Sequence, residues 1–381
     1  MRILESKIIT TLPPPADNPR NSEGSFIRLN DGRILFGYSR FLKGGEGASD
    51  DAPCRIAGLY LDEKGERVLS EEPFTLVSAD EYGDDVQNVM SVSLSRMQNG
   101  DIGLFFGVKH IGLSRDEYGR ADGHLDFVMR RARDGEPFMR ENEVRCTTGV
   151  RAYYVVNNDR VLRLANGRLL LPAARHFLNY VGGRAVFDHR AEAHIFYSDD
   201  DGRSWCEAPG AVQLPNIGVS RSGMQEPGLC ELPSGVVRLF ARTDLGSQYE
   251  SFSYDGGMNW SAAQPSSFTS PDAPLRIARN PYNGKYYAVW NPIPYYNGRP
   301  DTGVHWSRNP LVIAESTDGI NFGGPTVLEN DPMRGYCYPA IFFVDEKTML
   351  LSYCSGGPVY EELVGGAHIL SETTIRRLVI E

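Results

Sequence analysis

Nowhere in the 381-residue sequence do eighteen apolar residues stand together, so no segment reads as a membrane-crossing helix. The N-terminus, MRILESKIITTLPPP, lacks an apolar run long enough for the core of a secretory leader. No CxxC pair occurs, and Cys54, Cys146, Cys206, Cys230, Cys337 and Cys354 are too scattered for a disulfide framework. These absences predict a cytoplasmic protein with reduced thiols, or a secreted or periplasmic one if a leader has been removed. Basic excess is missing too. At a net charge of −10 the chain cannot displace the counterions of a nucleic-acid backbone, so neither nucleic acid nor membrane is expected as a partner. Neither GxxxxGK[ST] nor GxGxxG is present, which removes the phosphate-cradling nucleotide folds. His189 and His194 in HRAEAH are five apart and lack the HExxH order, so no metal site is read there and no cofactor is expected.

What the chain does have is turn residues and aromatics: forty Gly, twenty-four Pro, nineteen Tyr and seventeen Phe, a composition suited to many short strands. Two stretches share one spacing. YSDDDGRSW and FSYDGGMNW place Ser198, Asp200, Gly202, Trp205 and Ser253, Asp255, Gly257, Trp260 at matching intervals. ESTDGINF, with Ser316, Asp318, Gly319 and Phe322, is a shortened copy, and RARDGEPF, with Asp134, Gly135 and Phe138, a weaker one. In such a turn Asp caps backbone N–H groups, Gly takes a positive φ and the aromatic packs beneath, so these boxes are read as structural.

A second repeat runs beside the first. Six segments read as apolar strand, turn, apolar strand, with Gly32, Gly100, Gly167, Gly235 and Gly284 at five turns and Lys347 near the sixth. Steps of 49 to 68 residues suit a four-stranded antiparallel unit with loops. The prediction is all-β: one domain over 1–381, a six-bladed β-propeller whose inner strand ends gather at one mouth. Just past the second strand of each hairpin stand Arg40, Lys109 with His110, Arg175 with His176, Arg242, Asn291 and Tyr353, a polar and cationic ring.

These boxes, with MQEPGLCELPSGVVRLFARTDLGSQYESFSYDGGMNW at residues 224–260, resemble the sialidase (neuraminidase) superfamily of BNR or Asp-box propellers over nearly the whole chain. The resemblance implies a retaining exo-glycosidase that removes a terminal acidic sugar from a glycan, with a tyrosine nucleophile in place of the usual carboxylate. Three arginines would hold the substrate carboxylate: Arg20, Arg242 and Arg308, with Arg276 and Arg279 competing for the third place. Arg20 is followed by neither the Ile nor the Pro usual in the family. The general acid/base would be Asp50 or Asp51, with Glu46 as fallback, in a loop opened by Arg40 and loosened by Gly44, Gly45 and Gly47. Tyr338 or Tyr336 would be the nucleophile and Glu226 its base, since a neutral phenol needs help to attack near pH 7. His176, Gln225, Glu23 and Asn88 complete the mouth residues. Alternatives on the same fold are an exo-glycosidase or lyase for a uronic or neutral sugar, in which His110 or His176 would act, or a non-catalytic glycan-binding propeller. No signal for an oligomeric state is present.

Overall fold

The computed structural model describes residues 1–44, 50–110, 124–181, 184–294, 308–357 and 370–381. Among these the chain is all strand and loop, apart from three short 3-10 turns at Ala79–Tyr82, Arg140–Asn142 and Ile217–Val219. All six sequence-predicted hairpins form, each as an antiparallel pair across its expected turn. Gly32, Gly100, Gly167, Gly235 and Gly284 all adopt positive φ, between 76° and 94°, which is why glycine stands at each turn.

Expected uniform four-stranded units appear four times, and once they do not. Arg20–Arg28, Ile34–Phe41, Cys54–Leu61 and Phe74–Ser78 make one sheet; Gln225–Glu231, Val237–Arg242, Ser247–Ser253 and Gln264–Thr269 make another. A third contains Arg276–Arg279, Tyr286–Trp290, Leu311–Ser316 and Thr326–Glu329. Between residues 86 and 207 two meanders merge into a nine-stranded sheet, because a single parallel bridge, Tyr153 to Leu125, joins them. The remaining sheet has an unforeseen member. Ile3–Leu12, read only as a segment without leader character, pairs antiparallel with Glu372–Ile380, beside Thr348–Gly356 and Gly335–Phe343. One sheet therefore ties both ends of the chain together, a non-local pairing that no short-range pattern announces.

Cores lie between consecutive sheets. Ile27, Leu35 and Ile56 pack on Val89, Leu104 and Phe106; Phe240 and Cys230 pack on Ile277, Tyr286 and Trp290. Last meets first where Ala340, Leu350 and Ile375 pack on Phe26, Phe36 and Tyr38. Strand alternation gives each sheet two apolar faces, so every sheet buries one against each neighbour.

The boxes lie between the third and fourth strands of their units. Ser253 Oγ donates to Asp255 Oδ1 at 2.8 Å while accepting from Gly257 N–H at 2.8 Å, and Asp255 accepts from the Asn259 N–H at 2.9 Å. Trp260 Nε1 closes the turn by donating to the Gly257 carbonyl at 3.1 Å. The 198–205 and 316–322 copies repeat the Ser–Asp–Gly bonds.

Candidate active site

First strands of four units carry a bulge, at Asn21/Gly24, Met90/Ser93, Gln225/Gly228 and Cys337/Ala340. Inside the last two bulges Glu226 and Tyr338 take positive φ, 47° and 55°, at equivalent positions of their strands. Left-handed backbone at a bulky residue costs on the order of 1–3 kcal/mol and persists where packing over-determines it, often at functional sites. A bulge re-aims the side chain, here toward the inner mouth. Small residues make room two positions later: a Cβ on Gly228 would come within 2.4 Å of the Phe240 ring.

Delivery of Glu226 depends on the preceding turn. Gly223 (φ 64°) approaches Ala191 so closely that a Cβ would meet the Ala191 carbonyl oxygen at 2.3 Å. Met224 N–H donates to that carbonyl at 2.8 Å, and Asp244 holds Ser220, Arg221 and Ser222 in place.

Glu23, Asp50, Tyr153, Glu226 and Tyr338 line one cleft. Arg242 Nη1 donates to Glu226 Oε2 at 2.8 Å and its Nε to Asp272 Oδ1 at 2.8 Å. Arg308, buried, donates from Nη2 to the Asp272 carbonyl at 3.1 Å and sets its guanidinium carbon 5.2 Å from the Tyr338 ring centroid. Its Nε is buried without a hydrogen-bond partner. Asp272 was not singled out by sequence reasoning, yet it joins the two arginines. Its only signal was an acidic residue in the SPDAP loop before a strand.

On the other side of the cleft Arg20 Nη1 donates to Asp50 Oδ1 at 2.8 Å, with Glu23 at 3.9 Å and the Phe41 ring beneath at 4.1 Å. Asn88 Nδ2 donates to the carbonyls of Asp50 and Ala52, and Lys109 Nζ to the Asp50 carbonyl, so the backbone carrying Asp50 is pinned. Asp51 pairs instead with Lys109 Nζ at 2.5 Å. Glu46, Gly45 and Gly47 lie outside the described residues.

Other candidates separate from this group. Arg40 lines a groove with Asn18, Asn21 and Tyr38 against the N-terminal strand. Tyr336 packs between sheets with Tyr287 and Tyr353, the latter at 6.2 Å in an edge-on ring contact. Gln225 Nε2 donates to the His189 carbonyl at 2.7 Å. His176 lies edge-on to Tyr153 at 6.0 Å, and burial lowers its pKa to about 4. Arg276 pairs with Asp159 at 2.9 Å, and Arg279 donates to the Gly284 carbonyl at the far end of its hairpin. Asn291 and Tyr353, from the expected ring, are tied into packing, Asn291 to the Pro310 and Tyr336 carbonyls and Tyr353 to Glu329. The ring is polar where strands end, but only part of it faces the cleft.

Burial pushes the Tyr338 phenol above its ordinary 10, Glu226 adds to that, and Arg308 and Arg242 oppose it. Burial also works against the charge on Arg242, and Glu226 and Asp272 more than restore it. A phenol, a carboxyl group on a second bulge and fixed guanidinium groups are therefore brought to one wall of the cleft.

A family model described as a BNR repeat-like domain matches residues 66–350. The chain belongs to the BNR repeat-like family. Among solved structures, this BNR-repeat chain is similar to a protein of unknown function from Dyadobacter fermentans, at 18% identity and a TM-score of 0.66 over 99% of both chains. The Trypanosoma rangeli sialidase in complex with sialic acid matches at 14% identity and a TM-score of 0.66, over 98% of this chain and 59% of that one. The Hadza microbial sialidase Hz136 matches at 15% and 0.63, over 88% and 64%. The chain thus spans about three fifths of the sialidases it resembles. At these identities the likeness is one of fold. No curated protein matches the sequence.

Proposed function

We propose that this BNR-repeat protein is a six-bladed propeller acting as a retaining exo-glycosidase on a terminal acidic sugar, sialic acid or a relative. The observation that carries the reading is the Glu226–Arg242–Asp272–Arg308–Tyr338 cluster, built on two equivalent bulges. Six hairpins with apolar cores between consecutive sheets, last to first included, support the blade count.

In this mechanism Glu226 takes the phenolic proton as the Tyr338 oxygen attacks the anomeric carbon, and Asp50 protonates the departing glycosidic oxygen. Water then cleaves the tyrosyl glycoside with Asp50 acting as base, which restores the starting configuration. An uncharged attacking group avoids repulsion from the substrate carboxylate, which Arg242, Arg308 and Arg20 hold. Arg20 is paired with Asp50. A substrate carboxylate that takes over Arg20 releases Asp50 to serve as the acid, so binding and proton delivery are linked.

One observation favours a second reading. Arg242 already carries two carboxylate partners and Arg20 another, which leaves less uncommitted positive charge than an acidic sugar calls for. A neutral-sugar exo-glycosidase, or a glycan-binding module, fits that balance. Turnover of a fluorogenic α-sialoside by wild type and Tyr338→Phe, beside a panel of neutral and uronic glycosides, tests the choice. Sialoside cleavage lost in the variant supports the first reading. Cleavage of another glycoside alone moves the substrate class, and binding without turnover ends the catalytic reading.

A further inference from the structure

Behind the wall of the cleft, where Ile102–His110 ends and Leu125–Ala132 begins, three ligand-type side chains face one another. The donor atoms of His110, His124 and Asp126 all lie within 4.8 Å of each other. His110 Nε2 is 3.7 Å and His124 Nε2 3.5 Å from the same oxygen, Asp126 Oδ2. The first gap is too long for a hydrogen bond to Asp126 and the second lies at the outer limit of one. They do fit the edge of a coordination tetrahedron, since metal–nitrogen and metal–oxygen bonds of about 2.0–2.2 Å set neighbouring ligand atoms roughly 3.4 Å apart. Among the described residues His124 Nε2 is also a buried atom without a hydrogen-bond partner, a cost that a bound ion would remove.

The surroundings hold this arrangement in place. Both imidazoles stack nearly parallel, with centroids 4.1 Å apart, so one ring must turn about its Cβ–Cγ bond to bring both in-plane lone pairs onto a common ion, while the backbone N–H of His110 donates to the His124 carbonyl at 2.9 Å and fixes the two strand ends. Asp126 Oδ1 lies 2.9 Å from Arg145 Nη2 and accepts from the Thr147 hydroxyl at 3.5 Å, which orients the carboxylate and leaves Oδ2 to the histidines. His194 supplies a contrast within the same molecule. Its two ring nitrogens sit 2.6 and 2.8 Å from Glu207 and Glu192, ordinary hydrogen bonds that leave no room for an ion.

We propose that His110, His124 and Asp126 form a binding site for a divalent transition ion of the zinc class, with three protein ligands and one open position. Two imidazoles and a carboxylate suit zinc, cobalt or nickel, whereas magnesium and calcium prefer oxygen alone. Leu125 lines the cleft, and strand alternation turns the adjacent Asp126 to the opposite face, so the ion sits behind the cleft and clamps the two strand ends together. It is separate from the groups assigned to sugar chemistry.

The test uses the full chain, stripped with chelator and titrated with Co²⁺ and then Zn²⁺. Expected are one saturable equivalent with the visible absorption of four-coordinate cobalt, displacement by zinc, and a higher melting temperature. His110→Asn and His124→Gln should each lose that equivalent while melting like the metal-free wild type, and the exposed His189→Gln should bind as wild type does. Asp126→Asn is secondary because it also strips Arg145 of its partner. No saturable uptake by the wild type, or uptake that survives both histidine substitutions, overturns the proposal.

Discussion

Asp-box turns and the cleft both spend carboxylates, and they spend them differently. In the boxes, Asp200, Asp255 and Asp318 bond groups two to four residues away on exposed turns. In the cleft, Glu226, Asp272 and Asp50 meet guanidinium groups sixteen to thirty residues away, with both arginines buried or half-buried and only Asp50 exposed. Local satisfaction makes a turn that any propeller can use. Long-range pairing of buried charge is costly unless something is gained from it, and a ligand site is one such gain. The comparison separates residues that build the fold from residues that act on it, and substitutions on each side should fail in different ways.

The largest effect should come from Tyr338→Phe. Loss of the attacking oxygen should lower glycoside turnover by roughly 10³-fold or more with melting unchanged. Tyr336→Phe, packed between sheets, should keep turnover near wild type. Steady-state rates with circular dichroism check both, and equal losses in the two variants would blur the distinction between cleft and scaffold.

Next comes a break on the scaffold side. Arg238 is buried, donates twice to Glu250 at 2.6 and 2.9 Å, and reaches the Gly319 carbonyl of the neighbouring box at 2.7 Å. Glu250→Ala strands that charge and should cost about 3 kcal/mol in denaturant unfolding. Turnover per folded molecule should hold. Asp272→Asn should do the opposite: it loosens Arg242, which bonds the carboxylate, while the backbone carbonyl keeps its bond to Arg308, and it should raise KM about tenfold, roughly 1.4 kcal/mol, with little loss of melting temperature. A fall in stability without a change in KM would return Asp272 to the scaffold.

Legibility followed the same division. Turn glycines, hairpins and boxes could be read because Gly with positive φ and Ser–x–Asp spacing are local rules. Arg242 could be singled out because it ends the second strand of a hairpin, and Glu226 only through the sialidase resemblance. Asp272 could not, since its value comes from two arginines that lie far from it in the chain, one on a strand and one in a loop. The bridge from Tyr153 to Leu125 and the pairing of Ile3–Leu12 with Glu372–Ile380 were hidden for the same reason: both join segments that no local pattern relates. Tyr336 and Tyr338 differ by two in sequence and would share a face in a plain strand. The bulge just after Cys337 sends them to different environments, and no alternation pattern announces a bulge.

The smallest effect sharpens the comparison most, because it depends on charge in a turn with no part in chemistry. The Asn259 N–H leads the bonds that hold the Asp255 carboxyl at about 2, below the ordinary 3.8. With the folded-state value depressed, the unfolded chain binds the proton more readily, so acid favours unfolding at this residue. Its stabilisation is complete above about pH 4 and is lost as pH falls through about 2. Asp255→Asn keeps one acceptor oxygen but not the charge, and on so exposed a turn should cost only about 1 kcal/mol at neutral pH. The gap between wild type and variant should then narrow as unfolding is repeated from pH 5 down toward pH 2, while turnover at neutral pH is the same for both. A gap that stays constant with pH would mean that the turn is held by its shape and its glycine, and that the carboxylate charge is dispensable there.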